Sequence, residues 1–396
     1  MKKIFALVLA LCLCLTAAFA LADGIAKENI KLGVITLHDE LSTYDKNFID
    51  AAKEAAANMG LTEDQIKIIS GIPESEACYD TAAELAEDGF NIIFADSFGH
   101  EDFMIKAAKE FSDVEFCHAT GTKAHTEKLA NYHNAFASIY EGRFLAGVAA
   151  GMKLKELQDA GQLKGEKPLM GYVGAFPYAE VKSGYTSFYL GAKSIVPDVE
   201  MKVIFTQSWY DEEGEKTAAK ALIAANCDLI SQHADSWGAP TACEEAGIPN
   251  ISYNMATVEK CPNTFIVASR IDWVPYFEYI ISQRINGEAI DTDWTGNLDK
   301  GSVVLTEVNE QAAAPGTAEK IAEVTQQLLT GDVQVYDTAT FTVGGENLSS
   351  YLADVDDMGD YVPETEAIAD GYFHESEFRS APYFDIDIDG IEILNN

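Results

Sequence analysis

Short runs rich in Ile, Val and Leu alternate along this chain with longer stretches whose apolar residues recur every three to four positions. Residues 30–37 (IKLGVITL), 66–70, 91–95 and 114–119 read as strands, with helices over 44–59, 78–88 and 100–111 between them. Strands that are apolar throughout are buried on both faces, the mark of a parallel sheet covered by helices on each side. The pattern then restarts, with strands at 169–175, 201–206 and 228–232 and helices at 181–195, 213–225 and 239–246. A polar cluster follows the third strand of each half: Asp96-Ser97-Phe98-Gly99 in one, His233-Ala234-Asp235-Ser236 in the other. These clusters, like the first strands, are offset by about 137 residues, which predicts an internally duplicated, doubly wound α/β unit.

The polar, Gly/Pro-containing stretch 161–168 reads as a loop near the crossover between halves. Strand 264–270, helix 273–285, strand 302–306 and helix 317–329 then return first to one half and afterwards to the other. The predicted organisation is a leader at 1–22 and a first lobe at 23–150 joined by about 268–300. A second lobe at 165–267 is joined by about 301–345, with several strands at the hinge. The segment 346–396, acidic and aromatic without a helical pattern, is expected to pack on a lobe.

Charge narrows the functional classes. The 396 residues carry 64 acidic against 27 basic side chains, a net charge of -37. That argues against nucleic acid and anionic lipid as partners, since both are bound through Lys and Arg. Met1-Lys2-Lys3, an apolar run over 4–15 and Ala18-Phe19-Ala20-Leu21-Ala22 together form a secretory signal peptide, cut after Ala22 or Ala20. The expected location is extracytoplasmic. A lipid anchor on Cys12 or Cys14 is disfavoured, because each is preceded by Leu and cutting there would stunt the apolar run. Cysteines 78, 117, 227, 243 and 261 remain, with no Cys-x-x-Cys pair, and read as small buried hydrophobes, though one or two disulfides are open.

In open α/β sheets a ligand sits beyond the carboxyl ends of the strands, and two such rims would face each other across a hinge. His38, Asp39 and Tyr44 fall there after the first strand, and Asp96, Ser97 and Phe98 after the third. In the second half the rim carries Phe176, Tyr178, Ser208-Trp209-Tyr210-Asp211, His233, Asp235, Ser236 and Trp237, followed later by Asn254 and Asp272-Trp273. Aromatics interleaved with carboxylates suit a neutral, flat or polyhydroxylated ligand: rings stack, while Asp and Asn engage ring nitrogens or hydroxyls.

At this point the chain resembles the basic membrane protein (Bmp) family of ABC-transporter substrate-binding proteins, which includes purine nucleoside receptors. The resemblance runs from about residue 30 to 288. It is carried by Leu32-Gly33-Val34-Ile35 with Thr43-Tyr44-Asp45, Phe94-Ala95-Asp96-Ser97-Phe98-Gly99, His118-Ala119-Thr120-Gly121 and residues 139–147 (IYEGRFLAG). Gly171-Tyr172-Val173-Gly174-Ala175-Phe176-Pro177, Ser208-Trp209-Tyr210-Asp211, residues 232–236 (QHADS) and residues 272–277 (DWVPYF) complete it. It implies a two-lobed type I periplasmic-binding fold closing on a purine or purine nucleoside, a permease as partner, and neither cofactor, metal nor catalysis; a monomer is expected.

It also implies that Tyr44 and Trp209 sandwich the base. Asp235, Asn254, Asp96, Ser97, Phe98, Phe176, His38, Asp45 and Trp273 would complete the site. Tyr44 and Asp45 replace the family's Phe and Asn, and Ser252-Tyr253-Asn254-Met255 replaces its ribose-directed Gly-Val-Asp-Ser-Asp. These departures favour a free base such as adenine.

Other signals compete. Asp385-Ile386-Asp387-Ile388-Asp389-Gly390 fits the start of a Ca²⁺ loop, but its twelfth position is Asn396 rather than Glu. The Ile/Asp alternation equally describes an edge strand with one wet face. His233 beside Asp235 could serve a purine nucleoside hydrolase, although no Gly-x-Ser-x-Gly, P-loop or HExxH motif accompanies it. A sugar or autoinducer-type binding protein on the same fold is the nearer alternative.

Overall fold

The computed structural model describes residues 24–356 and 362–395, so the leader expected at 1–22 lies outside the described residues. In chain order the main strands are β1 (Leu32–Ile35), β2 (Ile66–Ile69), β3 (Ile92–Ala95), β4 (Glu115–Ala119), β5 (Tyr132–Ala137), β6 (Leu169–Gly174), β7 (Glu200–Phe205), β8 (Leu229–His233), β9 (Asn250–Tyr253), β10 (Phe265–Ile271), β11 (Asp293–Gly296) and β12 (Val303–Leu305). The first sheet runs β2-β1-β3-β4-β5-β11, with every neighbouring pair parallel. The second repeats that order as β7-β6-β8-β9-β10-β12, with only β12 antiparallel. This is the mixed α/β, two-lobed architecture that the apolar pattern predicts.

Successive strand residues point to opposite faces, and in inner strands such as β1, β3 and β8 both faces are dry. In the first lobe Ile92 and Phe94 join a core with Phe48, Trp273 and Phe277, on helices Thr43–Asn58 and Val274–Asn286 and the turn before the latter. Ile93 and Ala95 join another, with Cys78, Leu85, Met104 and Ile105 of helices Glu76–Glu87 and Glu101–Glu110. In the second lobe Leu229 packs with helices Ile139–Asp159 and Ala179–Lys193, while Ile230 packs with Glu212–Ala224 and Gly238–Ala246.

The chain changes lobes at three places: Ser138, Asp272-Trp273 and 297–302. The helix Ile139–Asp159 therefore belongs with the second sheet, so the first crossing falls before residue 150. Likewise β10 stays in the second sheet, and the helix after it and β11 return to the first. Close packing decides the earlier crossing. A Cβ at Gly147 would lie 2.0 Å from the Phe188 carbonyl oxygen, and one at Gly191 would lie 2.0 Å from that of Phe144. Two helix backbones touch here, which glycine alone permits.

The linkers bond to one another. Ser138 N donates to Gly296 O at 2.8 Å, Asp272 N to Ser302 O at 2.7 Å, and Leu298 N to Glu141 Oε2 at 2.9 Å.

The C-terminal segment covers the second lobe. Tyr383, Phe384, Ile386 and Ile388 enter its core, and Ile391–Ile393 adds a parallel edge strand to β7. The segment also reaches the first lobe, where Ser380 N donates to Asp293 Oδ1 at 2.8 Å. The three carboxylates of its Asp385–Asp389 run are engaged within the protein. Asp385 and Asp387 lie 2.7 and 3.1 Å from Lys182 Nζ, and Asp389 accepts from Thr342, Gly344 and Gly345. Among the described residues, Cys78, Cys117, Cys227, Cys243 and Cys261 are buried thiols without disulfides.

Trp273 is 1% exposed and stacks on Phe48 at 4.4 Å between ring centroids. Trp273→Ala is expected to destabilise the protein by about 3–5 kcal/mol, read as a fall in the urea midpoint; a loss under about 1 kcal/mol would remove it from the core.

Candidate functional site

Strand order reverses between β1 and β3 in one sheet and between β6 and β8 in the other, and a ligand crevice forms at such switch points. The two crevices face each other. Between them lies a tight pocket, with a cavity volume of about 20 Å³. The first lobe lines it with Leu37, His38, Tyr44, Asp45, Ser97, Phe98 and Thr120, and the second with Glu180, Trp209, His233 and Asp235. The lobes touch at its rim. Asp235 O accepts from Thr43 N at 2.9 Å and from Thr43 Oγ1 at 3.1 Å, and the Phe98 and Tyr178 rings lie 5.6 Å apart.

Tyr44 and Asp45 enter the pocket because Ser42 caps the helix that follows β1, accepting from Asp45 N at 3.2 Å. Tyr44 is held edge-on to Phe48 and donates its hydroxyl to Asp96 O at 2.8 Å. Asp45 Oδ1 accepts from His38 N at 2.7 Å, while Oδ2 accepts from Ser42 Oγ at 2.5 Å and lies 3.4 Å from His38 Nδ1. Burial pushes the Asp45 carboxyl up, but the hydrogen bonds from His38 and Ser42 outweigh it and leave the group below the usual carboxylate range.

Across the cleft, Trp209 O accepts from Asp235 N at 3.0 Å, and the Trp209 ring packs edge-on against Phe176 at 5.1 Å. Burial, followed by the charges of Asp45, Glu215 and Glu180, raises the Asp235 carboxyl well above its usual range. Ser97 lines the pocket, but its hydroxyl donates to Glu74 Oε1 at 2.7 Å.

Seven of the expected residues thus line one pocket: His38, Tyr44, Asp45, Ser97, Phe98, Trp209 and Asp235. Four do not. Asp96 is fully buried behind it, with Oδ1 accepting from Leu37 N at 3.2 Å. Phe176 stacks on Tyr178 and supports Trp209 from outside the lining. Asn254 lines a separate hinge groove with Arg270 and Asp272, and Trp273 is core. Thr120 and Asn254 are nevertheless equivalent. They follow β4 and β9 with φ of 65° and 63°, a left-handed conformation that Asn tolerates and a β-branched Thr does not, so the strained member is the one at the pocket.

Glu180, Thr120 and Leu37 carry no individual sequence signal. The duplication offers one for Glu180, which occupies the first turn of the helix after β6 as Asp45 does after β1. Glu180 Oε1 lies 3.3 Å from His233 Nε2, and His233 Nδ1 faces the backbone of Gly184, where a Cβ would come within 2.7 Å. Burial lowers the His233 imidazole despite the Glu180 carboxylate. His233 thus lines the pocket with Nε2 beside Glu180 and with Nδ1 buried without a hydrogen-bond partner.

Comparison with known proteins agrees with this geometry. A purine-binding protein of Brucella abortus is 30% identical over 351 residues, covering 84% of this chain and 94% of that protein. A Haloferax volcanii protein named, provisionally, as an ABC transporter glucose-binding protein is 29% identical, covering 65% of this chain and 62% of its own. Among solved structures, an ABC transporter solute-binding protein from Aeropyrum pernix superimposes with a TM-score of 0.64 at 16% identity, covering 77% of this chain and 92% of that one, which is a likeness of fold. No helix among the described residues is long and apolar enough to cross a membrane. Residues 31–338 match the profile described as ABC transporter substrate-binding protein PnrA-like, and the chain belongs to that family, Bmp.

Proposed function

We propose that this protein is the exported receptor that delivers a purine base, adenine above all, or its nucleoside to an ABC importer by closing two lobes around it. One observation carries the reading. An aromatic ring from each lobe, Tyr44 and Trp209, enters the same pocket at paired switch points, beside a buried carboxylate suited to the edge of a base. The Brucella abortus relative supports it. The closed arrangement, with Thr43 bonded to Asp235 across the cleft, is the form a permease would recognise, so ligand binding acts as a population shift.

The Haloferax volcanii relative keeps a sugar in view as the second reading. A thermal-shift panel on protein unfolded and refolded to strip carried ligand separates the two. Adenine or adenosine at a hundred times Kd is expected to add about 2.7 kcal/mol of stability, with glucose and galactose inert. A shift with sugars alone would transfer the site to the second reading. Cleavage of adenosine, followed by chromatography, would make the protein a hydrolase. Trp209→Ala is expected to weaken adenine binding by about 2 kcal/mol or more in calorimetric titration, and unchanged affinity would remove Trp209 from the stacking role.

A further inference from the structure

Three carboxylates, those of Asp45, Glu180 and Asp235, line the pocket, and no Lys or Arg does. Their surroundings differ. Asp45 is served by His38 and Ser42, and Glu180 by His233. Asp235 is 5% exposed, and no hydrogen-bond donor among the described residues reaches its carboxylate, only its peptide groups being used, by Trp209 and Thr43. In the first lobe, outside the lining, Asp96 Oδ2 is also buried without a partner. The buried Arg143 lies outside the lining, where it donates to Gln232 O at 2.9 Å and sits over the Tyr253 ring at 4.5 Å.

A carboxylate buried without a donor is unfavourable until something with positive charge or N–H groups arrives. The rings of Tyr44, Phe98 and Trp209 around it offer faces that attract the same kind of ligand. We propose that the pocket selects its heteroaromatic ligand by charge. A ring bearing a positive charge, such as an N-protonated or N-alkylated purine, binds more tightly than its neutral counterpart, and a phosphorylated nucleotide is excluded. For the purine ring this rests on the function proposed above; the charge preference applies to any heteroaromatic cation that fits.

Calorimetric titration of the stripped protein tests it at neutral pH. The ligands are adenosine, the cation 1-methyladenosine, adenosine monophosphate and thiamin, a non-purine heteroaromatic cation. The quantity read is the affinity of 1-methyladenosine relative to adenosine, which separates charge from stacking when wild type is compared with Asp235→Asn and Glu180→Gln. That ratio is expected to fall at least about tenfold in Asp235→Asn and to fall in Glu180→Gln, with adenosine monophosphate silent on the wild type. Adenosine binding with a ratio that neither variant moves, or adenosine monophosphate binding as tightly as adenosine, overturns the charge selection and leaves the purine reading standing. Thiamin binding that Asp235→Asn weakens, with no purine bound, supports charge selection and overturns the purine reading. Binding by none of the four overturns both.

Discussion

One peptide carbonyl joins the two lobes where the ligand would sit. Asp235 O accepts from both the amide and the hydroxyl of Thr43, while Asp235 N donates to Trp209 O. The same residue therefore orients both aromatic walls, since Thr43 immediately precedes Tyr44 and Asp45 at the start of a capped helix. Open the lobes, and Tyr44 and Trp209 lose their common anchor. The pocket therefore depends on the contact between the lobes.

The lobes are also joined by the three linkers, which are tied by hydrogen bonds of Ser138, Asp272 and Leu298. The C-terminal segment joins the lobes at a fourth place. It lies outside the matched family profile, which ends at residue 338, yet it adds an edge strand to β7 and bonds Asp293 on β11. A movement that separates the sheets has to carry this segment along or break the Ser380–Asp293 contact.

Electrostatics sets the character of the site. The protein places most of its acidic excess in water, where solvation makes it cheap, but gathers Asp45, Asp96, Asp235 and Glu180 where solvation is poor. Asp45 is stabilised as the charged form by its hydrogen bonds. Asp96 and Asp235 are pushed well above the usual range by burial and then by neighbouring carboxylates, Asp45 first among them. Such an arrangement is unfavourable for folding and is retained at sites that meet a ligand.

The sequence by itself determined the architecture. Uninterrupted apolar strands demand cover on both faces, and the repeat at about 137 residues marks two copies of one unit, so two doubly wound lobes with facing rims follow from local pattern, while the strand order within each sheet came from the structure. Strand-end position also brought His38, Tyr44, Phe98, Trp209 and Asp235 into view, because a parallel sheet sends every such residue to the same rim. Tertiary structure alone decided the rest. Trp273 and Phe176 share the aromatic signature of ligand stackers but are committed to packing, a distinction made by neighbours distant in the chain. Asn254 turns into the hinge groove while its counterpart Thr120 faces the pocket, and the crossing at Ser138 depends on Gly147 and Gly191 each admitting the backbone of the other's helix. Glu180, a surface-type residue by pattern, becomes part of the site because His233 holds it there. Periodicity records which face a residue turns to the core; it does not record which distant side chain waits on the other side.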